Sequence, residues 1–161
     1  MTEDARFEDG SERPLRLQAL DAEDLKVIAA LVQDAVFPIS EMKWQPGKRR
    51  FVLLLNRFRW EDRDKAEKQR RRYERVRALL VVNDVLKVAS SGIERTDQQT
   101  VLSLLDIQFI PGDSPAGRIE ITLAGDGAIA LEVDCLDVSL SDVTRPYVAP
   151  SGAVPNHDKR D

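Results

Sequence analysis

Apolar and polar positions alternate along much of this chain, and the few places where the alternation breaks are informative. Leu15 to Leu20 alternates and predicts a strand. Leu25, Ile28, Leu31, Val32 and Ala35 then recur at steps of three and four. That spacing predicts an amphipathic helix over 22–35 that buries Leu25, Ile28, Leu31 and Val32. Asp21 is its N-cap, Glu23 and Asp24 lie in the first turn where the helix dipole favours anions, and Pro38 closes the region. Phe51 to Leu55 is apolar without a break, which predicts a strand that is central or lies under the helix. Leu105–Phe109 and Ile119–Leu123 alternate cleanly, with one face turned inward. In the last apolar stretch the phase changes. Ile129, Leu131, Val133 and Cys135 share one parity, and Leu136, Val138 and Leu140 share the other, so a β-bulge or sharp bend is expected near Cys135. Asn83-Asp84 separates two apolar runs and reads as a hairpin turn or a similar bend.

The same β-unit reads as present twice. Met42-Lys43-Trp44-Gln45-Pro46-Gly47 parallels Ile107-Gln108-Phe109-Ile110-Pro111-Gly112, Arg50–Leu55 parallels Arg118–Leu123, and Ala78–Asp84 parallels Ile129–Cys135. In the second copy the last two runs are joined by Gly125-Asp126-Gly127, whereas in the first they are separated by a charged insert, 57–77. The fold expected is mainly β (α+β): a small antiparallel barrel or sandwich of two similar three-stranded units with one N-terminal helix. A single β-rich domain over 15–148 is expected, between a disordered N-terminal tail, 1–14, and a disordered C-terminal tail, 149–161.

Charge sharpens this picture. The net charge is −4, yet 57–77 holds ten basic and five acidic residues, while 94–142 holds ten acidic residues against Arg95 and Arg118. Such a dipolar molecule can steer an anionic partner to one end, although charges also fall wherever strands face water. No apolar run approaches a membrane span, the acidic N-terminus is followed by no apolar signal region, and a single cysteine excludes an internal disulfide. A cytoplasmic protein without membrane insertion is expected.

The insert is the main candidate site. Arg57, Arg59, Arg70, Arg71 and Arg72, interleaved with Phe58, Trp60 and Tyr73, could grip phosphates and stack bases. Arg57 and Arg59 would project together, with Phe58 on the other side. The alternative is a solvated helix or linker carrying the i,i+4 pairs Glu61/Lys65, Asp64/Lys68 and Glu67/Arg71. If the insert merely decorates a hairpin, replacing 61–72 by a tight turn leaves the fold intact. Trp44 aligns with Phe109 and reads as core; Trp60, among charges, reads as a partner-facing residue or a buried rim. Cys135 falls on an apolar parity and reads as core, so serine there is expected to cost more than alanine.

Other chemistries lack their residues. One cysteine and one histidine, His157 in the C-terminal tail, do not make a zinc site or a Ser-His-Asp set. There is no Gly-rich phosphate loop and no Gly-x-Ser-x-Gly elbow. Asp106, Asp134, Asp137 and Asp142 could in principle bind a metal or serve as acid and base, but acids alternating along strands usually face solvent. No catalytic residue, metal site or cofactor is therefore expected.

Leu105–Gly112, Gly127–Asp137, Asp21–Leu25, Gln33–Ala35 and Asn56–Glu61 carry a resemblance to an uncharacterised proteobacterial family of about 160 residues, covering roughly 15–145. The resemblance implies a cytoplasmic housekeeping setting and assigns no catalytic residues. The function expected is that of a non-catalytic protein-binding or adaptor domain, acting on another protein or as a homodimer. The alternative is RNA or polyanion binding through 57–77.

Overall fold

The computed structural model describes residues 14–148. The expected tails fall outside this range except for Pro14, and His157 falls outside it too. Eleven strands form one antiparallel system: β1 (Arg16–Ala19), β2 (Val36–Pro38), β3 (Met42–Gln45), β4 (Arg50–Phe58), β5 (Glu74–Val82), β6 (Val85–Ser91), β7 (Val101–Pro111), β8 (Gly117–Leu123), β9 (Gly127–Val133), β10 (Val138–Asp142) and β11 (Tyr147–Val148). Among the described residues two α-helices accompany them, α1 (Ala22–Leu31) and the short α2 (Arg63–Lys68), with three single 3-10 turns. The strands pair in the order β1-β10-β5-β4-β2-β7-β8-β9-β6, with β11 beside β5 and β3 beside β4. The path starts at β1 and ends at β6, and these do not pair, so the sheet is not a closed barrel.

The helix begins where the sequence predicts. The Asp21 carboxylate accepts the Asp24 amide at 2.9 Å, and Leu25, Ile28 and Ala29 are buried. It ends earlier than 35, at Leu31, because the next residues are needed by the sheet. Asp34 adopts a left-handed φ of 65°, its amide donates to Leu104 O at 2.7 Å, and the Leu104 amide donates to Ala35 O at 2.8 Å. Leu31 is consequently only half-buried, while Val32 is fully buried. Ile28→Ala should therefore cost about 2–5 kcal/mol in chemical denaturation, as core truncations do, and Leu31→Ala distinctly less.

β4 is central, flanked by β5 on one side and by β2 and β3 on the other. Phe51, Leu53 and Leu55 are buried on its inner face, and Val52 and Leu54 are half-buried on the other. The two expected bends are present, but neither is a hairpin. After β5, Asn83-Asp84 turns with Asp84 at φ 58°, and β6 leaves to pair with β9. After β9 the chain turns through 134–137, and β10 leaves to pair with β5. Each three-stranded meander, β3-β4-β5 and β7-β8-β9, thus gives its following strand to the other. The bends touch where the chains cross: the Asn83 amide donates to Asp137 O at 2.9 Å and the Asp134 amide to Asp84 O at 3.0 Å. The phase change is explained by this crossing, since Val133 ends one inward series and Leu136, Val138 and Leu140 begin the next.

Candidate functional site

The insert is mostly structure. Arg57 continues the inward parity of Phe51, Leu53 and Leu55 and is 0% exposed. Its guanidinium is enclosed by two carboxylates. Nε and Nη2 donate to Asp142 at 3.1 and 3.0 Å, and Nη1 and Nη2 donate to Glu61 at 2.9 and 2.8 Å. Nη1 also reaches Phe58 O at 3.3 Å, so all five N–H groups have partners. Burial alone would lower the Arg57 pKa, but the hydrogen bonds and charges of Glu61 and Asp142 outweigh it and the pKa is raised. Glu61 shows the converse: burial pushes its carboxyl up, and Arg57 with Arg59 pulls it net below the ordinary value.

Arg59, 6% exposed, pairs with Glu74 and lies 3.7 Å from Glu61 and 3.6 Å from Asp62. Arg71 forks onto buried Asp62 at 2.9 and 2.8 Å. Phe58 is buried under Trp60 and Tyr73, with ring centroids 4.7 and 5.8 Å away. The Trp60 indole N–H donates to Gln33 O at 3.0 Å, tying the arm to the end of α1. The open basic surface expected from five arginines is therefore not assembled. Arg57 and Arg59 are interior and do not project from the hairpin, Arg71 is held by Asp62, and Arg70 and Arg72 remain exposed. Of the expected i,i+4 pairs none forms; Arg63–Glu67 at 3.8 Å takes that role, and Glu61 turns inward.

The other candidate acids are also engaged. Asp134 pairs with Arg49, Asp137 accepts from Gln18, and Asp106 accepts the Ile107 amide at 2.8 Å and Gln108 Nε2 at 3.1 Å. Among the described residues no group of three His, Cys, Asp or Glu side chains is arranged to hold a metal ion. Cys135 is half-buried rather than core, because it lies on the crossing bend, and its thiol donates to Asp84 Oδ2 at 3.3 Å. That hydrogen bond, with burial and the Asp84 charge behind it, raises the thiol pKa. Labelling of native Cys135 at neutral pH should be slower than that of a free thiol and should accelerate when Asp84 is changed to Asn. Serine, which can keep the bond to Asp84, should cost no more than alanine, the reverse of the core expectation.

A second region was not anticipated. β2 pairs with β7 only at Val101, Leu102 and Ser103, so from Leu105 onward one edge of β7 has no strand beside it among the described residues. The Gly112 amide bonds Ala116 O at 2.9 Å, which fixes the phase of the β7–β8 ladder. Counting back through its register, residues 110, 108 and 106 bond to β8, and Ile107, Phe109 and Pro111 turn their backbone groups to the open side. The Ile107 amide is occupied by Asp106, and proline has no N–H, so Phe109 supplies the free donor of this edge. Beside it runs a groove of about 680 Å³, walled on the helix side by Lys26, Ala29, Ala30 and Gln33 and floored by 105–109.

The chain belongs to the family described as "Protein of unknown function (DUF2948)", whose model matches residues 15–157, in keeping with the resemblance read from the sequence. No curated protein and no solved structure matches it.

Proposed function

We propose that this member of a family without an assigned activity is a non-catalytic binding protein of the cytoplasm that takes up an extended segment of another protein as an added strand on β7. The observation that carries this reading is the free edge at Ile107–Pro111, with the outward donor and acceptor of Phe109 lying beside a groove of about 680 Å³. Strand addition draws affinity from such main-chain groups and specificity from pockets that receive alternate side chains. Small residues on α1, Ala29 and Ala30, leave the room, and Lys26, whose ion pair with Glu23 is exposed, favours an acidic residue in the segment. Among the described residues no helix is long and apolar enough to cross a membrane.

Peptides selected from a random library on the wild-type protein should slow amide exchange at Phe109. They should bind at least about 10-fold more weakly to Ala30→Trp, which fills the groove from an exposed position, at unchanged melting temperature. Selected peptides indifferent to Ala30→Trp would overturn the reading. If the natural occupant is a second copy, the same variant should dissolve the homodimer in sedimentation. The polyanion alternative has a narrower basis, the exposed Arg70 and Arg72 beside Arg63, Lys65 and Lys68 on the arm. Loss of single-stranded RNA binding in Arg70→Glu/Arg72→Glu, with Ala30→Trp unaffected, would favour it.

We also read the two meanders as copies of one unit. Trp44 lies opposite Phe51 and Phe109 opposite Ile119, the counterparts expected from the sequence, and both rings pack against one core. The third strands are offset by two residues from that correspondence, since Phe51 faces Val82 and Ile119 faces Leu131, and an even offset keeps the same face inward.

A further inference from the structure

β3 and β6 are both edges that face one another across the open side of the sheet. Among the described residues β3 pairs only with β4, and β6 only with β9. Between them lies a slot of about 380 Å³, within the range of small-molecule sites. Met42, Trp44, Phe51, Val88 and Ile129 wall it, Ser90 adds a hydroxyl, and among the described residues Arg95 is the one charged side chain that lines it. Phe51 and Ile129 are buried at its base, Trp44 and Val88 are half-buried on its sides, and Arg95 is exposed.

The segment carrying Arg95 is anchored to the entry of β3. The Ser40 amide donates to Gln98 O at 2.9 Å and the Ile39 amide to Thr100 O at 3.0 Å, while Gln98 Nε2 donates to Arg95 O at 2.9 Å. The acids nearest in sequence are turned elsewhere: Glu94 accepts the Thr96 amide at 3.3 Å and Asp97 the Gln99 amide at 3.0 Å. Among the described residues Arg95 makes no ion pair. Apolar side chains wall the slot, Ser90 adds polar surface, and one available guanidinium stands at its lip; such a mixed lining is complementary to a molecule with an apolar body and a single anionic end.

We propose that this slot binds a small amphipathic carboxylate, its hydrocarbon part between Trp44 and Val88 and its carboxylate on Arg95. This site is separate from the β7 groove and does not depend on the peptide reading. Trp60→Phe leaves Trp44 as the sole tryptophan, because the chain has two, so its emission reports the slot directly. In that background decanoate, below its micellar range, should give a saturable blue shift. Arg95→Gln should weaken decanoate binding about 10-fold or more. Decanol should bind less well than decanoate and be indifferent to that change. Ala89→Leu, at the exposed rim of the slot, should weaken both ligands. Absence of a saturable shift, or a shift insensitive to both Arg95→Gln and Ala89→Leu, would overturn the proposal. Ala30→Trp should leave decanoate binding unchanged, which separates this result from any failure of strand capture.

Discussion

Arg57→Met should lower the unfolding free energy at neutral pH by about 3–5 kcal/mol, the range for breaking a buried ion pair from one side. Methionine fills much of the space but supplies none of the five donors. Glu61 and Asp142 then lose the cation between them, Glu61 keeping only Arg59 at 3.7 Å among its described basic partners, and the Leu15 amide loses a well-placed acceptor if Asp142 moves, since it donates to Asp142 Oδ2 at 3.0 Å. The pH dependence gives the prediction a second edge. In the wild type Glu61 has a lowered pKa, so its stabilising share is present above the ordinary carboxylate value and is lost as pH falls through the folded value. The raised pKa of Arg57 contributes stability throughout the acidic and neutral range that is lost only at strongly alkaline pH. In Arg57→Met the repulsion is relieved once Glu61 is protonated, so the gap between variant and wild type should narrow on acidification. Urea denaturation at pH 7 and pH 4 tests both statements. A loss below about 1 kcal/mol at pH 7, or a gap that widens in acid, would contradict the enclosure of Arg57.

Replacing 61–72 by a Gly-containing turn should cost at least as much, and should unfold the domain if its total stability is near the lower end of the usual 5–15 kcal/mol. The sequence pattern suggests the opposite, because the other meander manages with Gly125-Asp126-Gly127. But the deletion removes Glu61 from Arg57, takes away Asp62, strips the buried Ala66 and leaves Arg59 with Glu74 alone among its described acidic partners. Circular dichroism melts of the replacement against wild type decide the matter: an unchanged midpoint would return the arm to the status of decoration.

Some of this was readable in the sequence. Arg57 sits two residues past Leu55 on a strand whose odd positions are buried, and Asp142 sits two past Leu140 on a strand whose even positions are buried. A base and an acid each at the next inward position of an apolar series signal a buried pair. That parity outweighs the cluster of basic letters that suggested a surface. What the pattern could not supply was adjacency. β4 and β10 both border β5, and the register sets Asp142 across from Ala78 and Arg57 across from Val76. Together those pairings bring Arg57 and Asp142, 85 residues apart, into contact, and no local signal encodes that. The β7 groove was hidden for a related reason. Leu105–Phe109 reads as any half-buried strand, and its edge is open only because β2 stops after three residues.

The exchange of β6 and β10 between the two meanders determines how the molecule can come apart. Neither half holds a complete sheet of its own, because the outer strand that closes each one arrives from the other through a crossing at Asn83–Val85 and Asp134–Asp137. Loss of one meander deprives the other of a neighbour along the full length of a strand. Partial unfolding that spares one half is therefore disfavoured, and the two halves behave thermodynamically as one unit around one shared core. The same interlock makes the halves mutual templates. Fragments divided within 92–100 each carry the strand the other lacks, and reassembly of the pair, rather than folding of either alone, is the route back to the native sheet.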